Sequence, residues 1–356
     1  MEYMSAKEAA EKWGISQRRV TLLCAENRIA GAERVGNMWL IPRTAEKPED
    51  GRREGREKKD GRRVRPFLKW AGGKGQLLGE IGKYYPFAHG HTVKYAEPFV
   101  GGGAVLFDIL DKYAPEAVYI SDSNPALINA YRVIRDGAGP LMEILEEMQQ
   151  AFLPLDTAGR KACYTAARDR YNALEIGEGE RARLEKAALL VFLNRTCFNG
   201  LYRVNRKGFF NVPMGAYKNP LICDRENLLA VSQKLRGVKI VCGDYREAAS
   251  FIDSRTFVYF DPPYRPITRT ASFTAYTENQ FLDAEQAQLA RFAGEMGERG
   301  AKILISNSDP RNADPADDFF DTLYAAWRIE RVEAARMINS DSRARGRIKE
   351  LLISNF

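Results

Sequence analysis

From Phe67 to Phe356 the chain alternates short, strand-like apolar runs with helical patterns, the order expected of a wound α/β sheet. VKYAE (93–97) passes through a glycine-rich turn into the apolar helical pattern AVLFDIL (104–110). VYISD (118–122) gives a second strand and KIVC (239–242) a third. VYF (258–260) closes a fourth, because Pro262 and Pro263 have no N–H to donate to a sheet ladder. Between 135 and 235 the alternation stops; the sequence turns helical, then polar, aromatic and glycine-rich, as an insertion would read.

Ahead of this lies a smaller pattern. Ser5, followed three residues on by Glu8, is a capping-box start, and Ala9, Ala10 and Trp13 give the helix an apolar face. Gly14 ends it and Ser16 starts a second helix carrying Arg18 and Arg19 near its beginning. IAGAERVGNMWLIP (29–42) then reads as a hairpin around Val35-Gly36-Asn37. The unit, residues 1–45, resembles the excisionase-like and MerR-like winged helix-turn-helix modules, which implies DNA binding through Arg18 and Arg19; a helical hairpin for protein contacts is the other reading. Residues 43–65 hold ten basic and six acidic side chains with almost nothing apolar, so 46–65 is expected to be a charged, flexible linker.

Apolar residues make up 45% of the 356, enough for a real core, and the net charge of +7 makes a polyanionic partner worth testing. The five cysteines form no Cys-x-x-Cys pair and there are only two histidines, so buried thiols in a reducing compartment are expected, and no metal. With no leader pattern and no uncharged apolar run of about 18 residues, the chain is read as cytoplasmic and off the membrane.

Candidate chemistry gathers at the ends of the apolar runs. EPFVGGG (97–103) opens with an acid and proline and lacks the G-x-G-x-x-G spacing of a dinucleotide fold. Glu97, Pro98, Phe99, Gly101 and Gly103 suit a cofactor with a cationic amino-acid part; Asp122 is placed to take ribose hydroxyls, and Asp244 with Tyr245 to meet an adenine ring. In DPPY (261–264), Asp261 offers a carboxylate, Pro262 and Pro263 a stiff backbone carbonyl, and Tyr264 a flat ring. Such acceptors can draw an aromatic amine towards a tetrahedral state, and stacking of a base on the ring contributes about 1–3 kcal/mol. An amine buried in a duplex must first be flipped out.

Seven collinear segments then carry a resemblance: PFLKWAGGKGQLL (66–78), AEPFVGGGAV (96–105), DSNPALINAY (122–131), NRTCFNGLYRVNRKGFFNVPMG (194–215), DPPY (261–264), FTAY (273–276) and ELLISNF (350–356). Residues 66–356 resemble the Dam-type DNA adenine-N6 methyltransferases. The resemblance implies a Rossmann-like S-adenosylmethionine-dependent fold, with a catalytic domain at 66–134 and 236–356 and an inserted, mostly helical target-recognition domain at 135–235. It implies methyl transfer to the N6 of a flipped adenine in double-stranded DNA, within GATC; oligomeric state is left open, with a monomer as the default. Trp70, Ala71 and Lys74 match the family's cofactor block, joined by Asp122, Asp244, Tyr245 and Asp261. Lys69 and Arg203 match residues that read the outer guanines, Leu201 and Pro213 those against the thymine methyl, and Asn199 the one probing the space left by the flipped base; Asn205 and Tyr217 fall in the same DNA-facing stretch. Phe198 stands where family members carry tyrosine, which keeps stacking and removes a hydroxyl; Ala216 stands where a phosphate-clamping arginine is found, with Lys218 nearby. Cytosine-N4 methylation, usually served by serine at position 261, and a DNA-binding regulator with an inactive methyltransferase fold remain as alternatives, and a partner endonuclease is left open.

Overall fold

The computed structural model describes residues 3–25, 28–36, 38–48, 63–265, 281–335 and 347–356. The chain divides into two compact units, 1–62 and 63–356. FTAY (273–276) lies outside the described residues.

The first unit holds β1 (Tyr3–Ser5), α1 (Ala6–Trp13), α2 (Gln17–Ala25), β2 (Glu33–Val35) and β3 (Met38–Pro42). The capping box forms: the Glu8 N–H meets Ser5 Oγ, and the Ser5 N–H donates to the Glu8 carboxylate at 2.7 Å. Gly14 leaves α1 in the left-handed region, and the Arg19 N–H bonds Ser16 Oγ at 3.3 Å. β2 and β3 make the expected antiparallel hairpin, and β1 adds a third strand beside β3, with Met4 opposite Ile41. Ala9, Trp13, Val20, Leu23, Cys24 and Ile41 fill the core.

The charged stretch is anchored at both ends, more tightly than its composition suggests. Lys47 Nζ donates to the Trp13 carbonyl. On the other side Val64 is buried with its N–H on Asp111, and Arg65 exchanges two backbone bonds with Asn227. Arg63–Arg65 therefore belong to the second unit and not to a linker; the anchoring acid and amide lie far along the chain, where composition does not look.

The second unit is built on a seven-stranded sheet of β4 (Lys94–Glu97), β5 (Ala117–Asp122), β6 (Lys239–Cys242), β7 (Thr256–Phe260), β8 (Lys302–Ser308), β9 (Arg328–Ala335) and β10 (Arg347–Ser354), in the order β6-β5-β4-β7-β8-β10-β9. The first five are parallel; β10 runs antiparallel to β8 and β9. The winding reverses between β4 and β7, and in such sheets the crevice outside the strands' carboxyl ends at this reversal receives ligands. β7 is buried at every position: Phe257 and Tyr259 enter one apolar cluster, Val258 and Phe260 the other.

The helices are α3 (Leu78–Ile81), α4 (Ala104–Lys112), α5 (Pro125–Phe152), α6 (Thr157–Ala173), α7 (Glu180–Thr196), α8 (Arg225–Lys234), α9 (Asp283–Glu298) and α10 (Phe319–Leu323). α5 breaks at Gly137, with Pro140 one turn on, close to the expected boundary at 134/135. The packing does not part there: Tyr164 of α6 and Phe192 of α7 share one apolar cluster with Tyr95, Phe257 and Leu304 of the sheet. Among the described residues no helix is long and apolar enough to cross a membrane, and no group of His, Cys, Asp and Glu is placed to hold a metal.

Candidate active site

The turn after β4 is fastened to the end of β5. The Val100 N–H reaches the Ser121 carbonyl, and Asp122 accepts from the N–H groups of Gly101 (3.1 Å, Oδ2) and Asn124 (2.9 Å, Oδ1). Burial raises the Asp122 carboxyl above the usual range, and each oxygen keeps a lone pair for a further donor. Glu97 is 2% exposed, accepts from the Tyr95 hydroxyl at 2.7 Å, and burial pushes its carboxyl well up. Gly103 opens α4 at φ 73°; a Cβ there would stand 2.5 Å from the Tyr131 hydroxyl, which itself holds the Gly101 carbonyl at 3.0 Å. Gly103→Ala is expected to weaken S-adenosylhomocysteine binding at least tenfold in titration calorimetry, since backbone strain and the clash both fall on this turn.

Phe99 and Tyr245 stack at 5.4 Å, and Phe281 closes edge-on against both. Tyr245 is 7% exposed, so it backs a wall whose accessible members are Phe99 and Phe281. Asp244 caps the turn Tyr245–Ser250 and is gripped by Arg246 at 2.7 and 3.1 Å, which lowers its carboxyl. Its free acid character is thus already shared with Arg246, a partner that the sequence reading passed over.

The block at 70–74, expected at the cofactor, also reaches the segment after α7 and the Asp261 turn. Trp70 fills the room left by Gly101 and Gly102 and stacks on Tyr202 at 4.9 Å, joining the glycine turn to the segment after α7. Ala71 is exposed beside it. Lys74, expected at the cofactor, is 5% exposed and points its Nζ at Asp261 Oδ1 (2.8 Å) and the Gly72 carbonyl (2.6 Å), 4.6 Å above the Tyr264 ring.

Asp261 follows β7 directly. Its Oδ1 also accepts from Ser306 Oγ at 2.9 Å, and Ser306 is bonded to Tyr259. Both donors land on Oδ1; among the described residues Oδ2 carries no bond. Gln286 of α9 donates to the Pro263 carbonyl, Asn307 of β8 donates to Gln286, and the Arg265 N–H donates to Asn307. The Ser308 hydroxyl takes the Arg265 carbonyl. These braces, again among the described residues, leave the buried Pro262 with its carbonyl untaken. Ser306, Gln286 and Asn307 carry no motif and were not foreseen; their place on a buried strand and helix was the only available signal.

The segment 197–217 forms a hairpin-like excursion. Cys197 bridges Met214, Val204 bridges Phe210, and the Phe198 N–H meets the Pro213 carbonyl. Asn194, 2% exposed, ties its start to residue 69 by accepting the Lys69 N–H and donating to the Lys69 and Gly200 carbonyls. Gly200 sits at φ 66°, where a Cβ would come within 2.4 Å of the Lys69 side chain. Asn199 also takes a positive φ, 56°. Phe198, Asn199, Arg203 and Pro213 are exposed, Leu201 half-buried. Arg203 is oriented by Asn211 (Nε to Oδ1, 2.7 Å; Nη2 to O, 3.3 Å). Asn205 spends its Oδ1 on the N–H groups of Lys207 and Phe209, so its first task is to hold the turn. Lys69 Nζ lies 3.4 Å from the Tyr217 hydroxyl. In the separate first unit, Arg18 is exposed at the start of α2, and Arg19 is half-buried.

Carboxylates stand at the ends of β4 and β5 and after β6, with an aromatic wall beside the last, where an open α/β sheet receives ligands. Comparison with known proteins identifies the family. The profile described as D12 class N6 adenine-specific DNA methyltransferase matches residues 70–338. The type II methyltransferase M.MjaIII of Methanocaldococcus jannaschii is 47% identical over 297 residues, covering 82% of this chain and 99% of the relative. The type II methyltransferase M1.LlaDCHI of Lactococcus lactis is 36% identical, covering 82% and 96%, and the DNA adenine methylase of Escherichia coli K12 is 32% identical, covering 81% and 94%. The chain belongs to the D12 class of N6 adenine-specific DNA methyltransferases, whose methyl donor is S-adenosylmethionine.

Proposed function

We propose that, within this adenine-N6 methylation, Asp261 Oδ2 and the Pro262 carbonyl hold the two amine hydrogens of a flipped adenine while its ring stacks on Tyr264. The observation that carries this reading is the division of labour on Asp261: Lys74 and Ser306 fill Oδ1, while among the described residues Oδ2 and the carbonyl of the next residue, Pro262, are left untaken after β7 at the sheet's reversal point. Bound S-adenosylmethionine supplies an electrophilic methyl group on a sulfonium. The chain's own part is to draw the amine nitrogen's lone pair out of conjugation, so that it can attack; the nitrogen then sheds a proton, for which Oδ2 is the adjoining acceptor. Glu97, Phe99, Asp122 and Asp244 would hold the cofactor.

The target sequence we infer is GATC in double-stranded DNA. Exposed Arg203 and Lys69 suit guanine edges, and Phe198, 52% exposed, with Asn199 suits the gap left by the extruded base. Residues 135–235 would then serve as an inserted target-recognition segment, and residues 1–45 as a winged helix-turn-helix that holds a second stretch of DNA. The type II naming of two relatives supports a restriction–modification setting. We read the protein as a monomer of the cytoplasm, nucleoid-associated through DNA.

Methylome sequencing of DNA treated with the full chain and with residues 63–356 alone tests this. N6-methyladenine is expected in GATC with both, with the shorter chain needing several-fold more enzyme at physiological salt. Methylation confined to another motif would reject the specificity; equal activity of the two chains would reject the role given to residues 1–45.

A further inference from the structure

A half-buried contact at the hydroxyl end of the Tyr264 ring is used by nothing described above. Tyr264 donates its hydroxyl hydrogen to Glu350 Oε2, across 86 residues of sequence. Glu350 is half-buried on β10, the antiparallel strand, opposite Ser308 of β8 and Val332 of β9. It therefore stands on one of the two strands that finish the sheet, apart from the turns that carry the candidate cofactor acids. The phenol is kept protonated by burial first and by the charges of Asp261 and Glu350 after it, so it acts as a donor. With Lys74 Nζ 4.6 Å over the ring, Tyr264 is held at two places: an ammonium over a face and a carboxylate at the hydroxyl. A phenyl ring free to rotate about its last bond would offer a base a shifting plane, and a near-attack geometry tolerates little of that.

We propose that Glu350 is a positioning residue for methyl transfer, fixing the plane of the Tyr264 ring so that a base stacked on it presents its amine to Asp261 and Pro262. This rests on the reading of Tyr264 as the stacking surface. Nothing in the contact requires Glu350 to touch substrate or cofactor. It acts through Tyr264, and the two side chains behave as one unit.

The test is a double-mutant cycle on the full chain with a hemimethylated duplex containing GATC. Glu350→Ala and Tyr264→Phe are each expected to lower kcat roughly tenfold or more, the effect of losing a hydrogen bond to a charged group, with KM for DNA and cofactor within about twofold of native. The double variant should be no slower than either single one, because both remove the same bond. Glu350→Gln, which still accepts from the hydroxyl, should recover most of the rate. With 2-aminopurine at the target position, Glu350→Ala should still show the fluorescence rise of base extrusion but a brighter final state, from looser stacking. Full kcat in Glu350→Ala, additive losses in the double variant, or a loss that appears only as a lowered melting temperature would each overturn the proposal. Absence of N6-methyladenine from the native chain would instead strike the reading of the site beneath it.

Discussion

Asp261→Asn is expected to lower kcat for methyl transfer by about a thousandfold or more, while cofactor and DNA affinities stay within a few-fold of native. Asparagine has the shape of aspartate but a single oxygen. Lys74 and Ser306 both donate to Oδ1, so the amide oxygen of the variant must face them to avoid burying two unmet donors. Its NH2 then occupies the place of Oδ2 and meets the adenine amine donor to donor. Chemistry is lost, and Lys74, 5% exposed, loses its counter-charge but keeps an acceptor in the amide oxygen. In Asp261→Ala turnover falls as far, but Lys74 and Ser306 lose the acceptor as well, so this variant is expected to be the less stable of the two, by about 3–5 kcal/mol against native. Single-turnover rates with labelled cofactor measure the turnover and melting temperatures the stability. An asparagine variant with near-native turnover would show that Oδ2 is not the acceptor.

Arg203→Ala is expected to reduce discrimination at one outer base pair of the target by about ten- to a hundredfold, the 1–3 kcal/mol of a bidentate guanine contact. The guanidinium does not search for its partner. Asn211 holds Nε and one side of Nη2, which leaves the Nη1–Nη2 edge, one hydrogen on each nitrogen, to face a guanine's O6 and N7. Comparing kcat/KM across duplexes altered one pair at a time checks this. Loss at a single outer position identifies a reading contact, whereas equal loss at every position would mean that Arg203 only grips phosphate. Lys218→Ala is the contrasting case: it should weaken binding alike for all sequences and flatten the salt dependence.

Much of this site was legible in the sequence because its signals are local. Two prolines stop a strand whatever surrounds them, so the Asp261 turn announced itself, and Ser5 with Glu8 is a helix start readable over four residues. Acids at strand ends gave Glu97 and Asp122 for the same reason. What stayed hidden depends on residues that meet only after folding. Lys74 was assigned to the cofactor on resemblance, and its carboxylate partner lies 187 positions later. Ser306, Asn307 and Glu350 read as ordinary residues of strands until β8 and β10 are seen to close the sheet beside β7. Arg246 takes a share of Asp244 from two residues away, a local contact missed because an arginine at a turn has no fixed habit.

Phe192 of α7 and Phe257 of β7 lie in a single apolar cluster. That helix and that strand therefore melt as one: any change that softens α7 also loosens the strand that leads into Asp261. On the proposed reading of the target, a lineage exploring new recognition sites has little freedom in that interior and must work on the rim, among Phe198, Asn199 and Arg203, whose side chains face water and can be exchanged without disturbing what lies beneath.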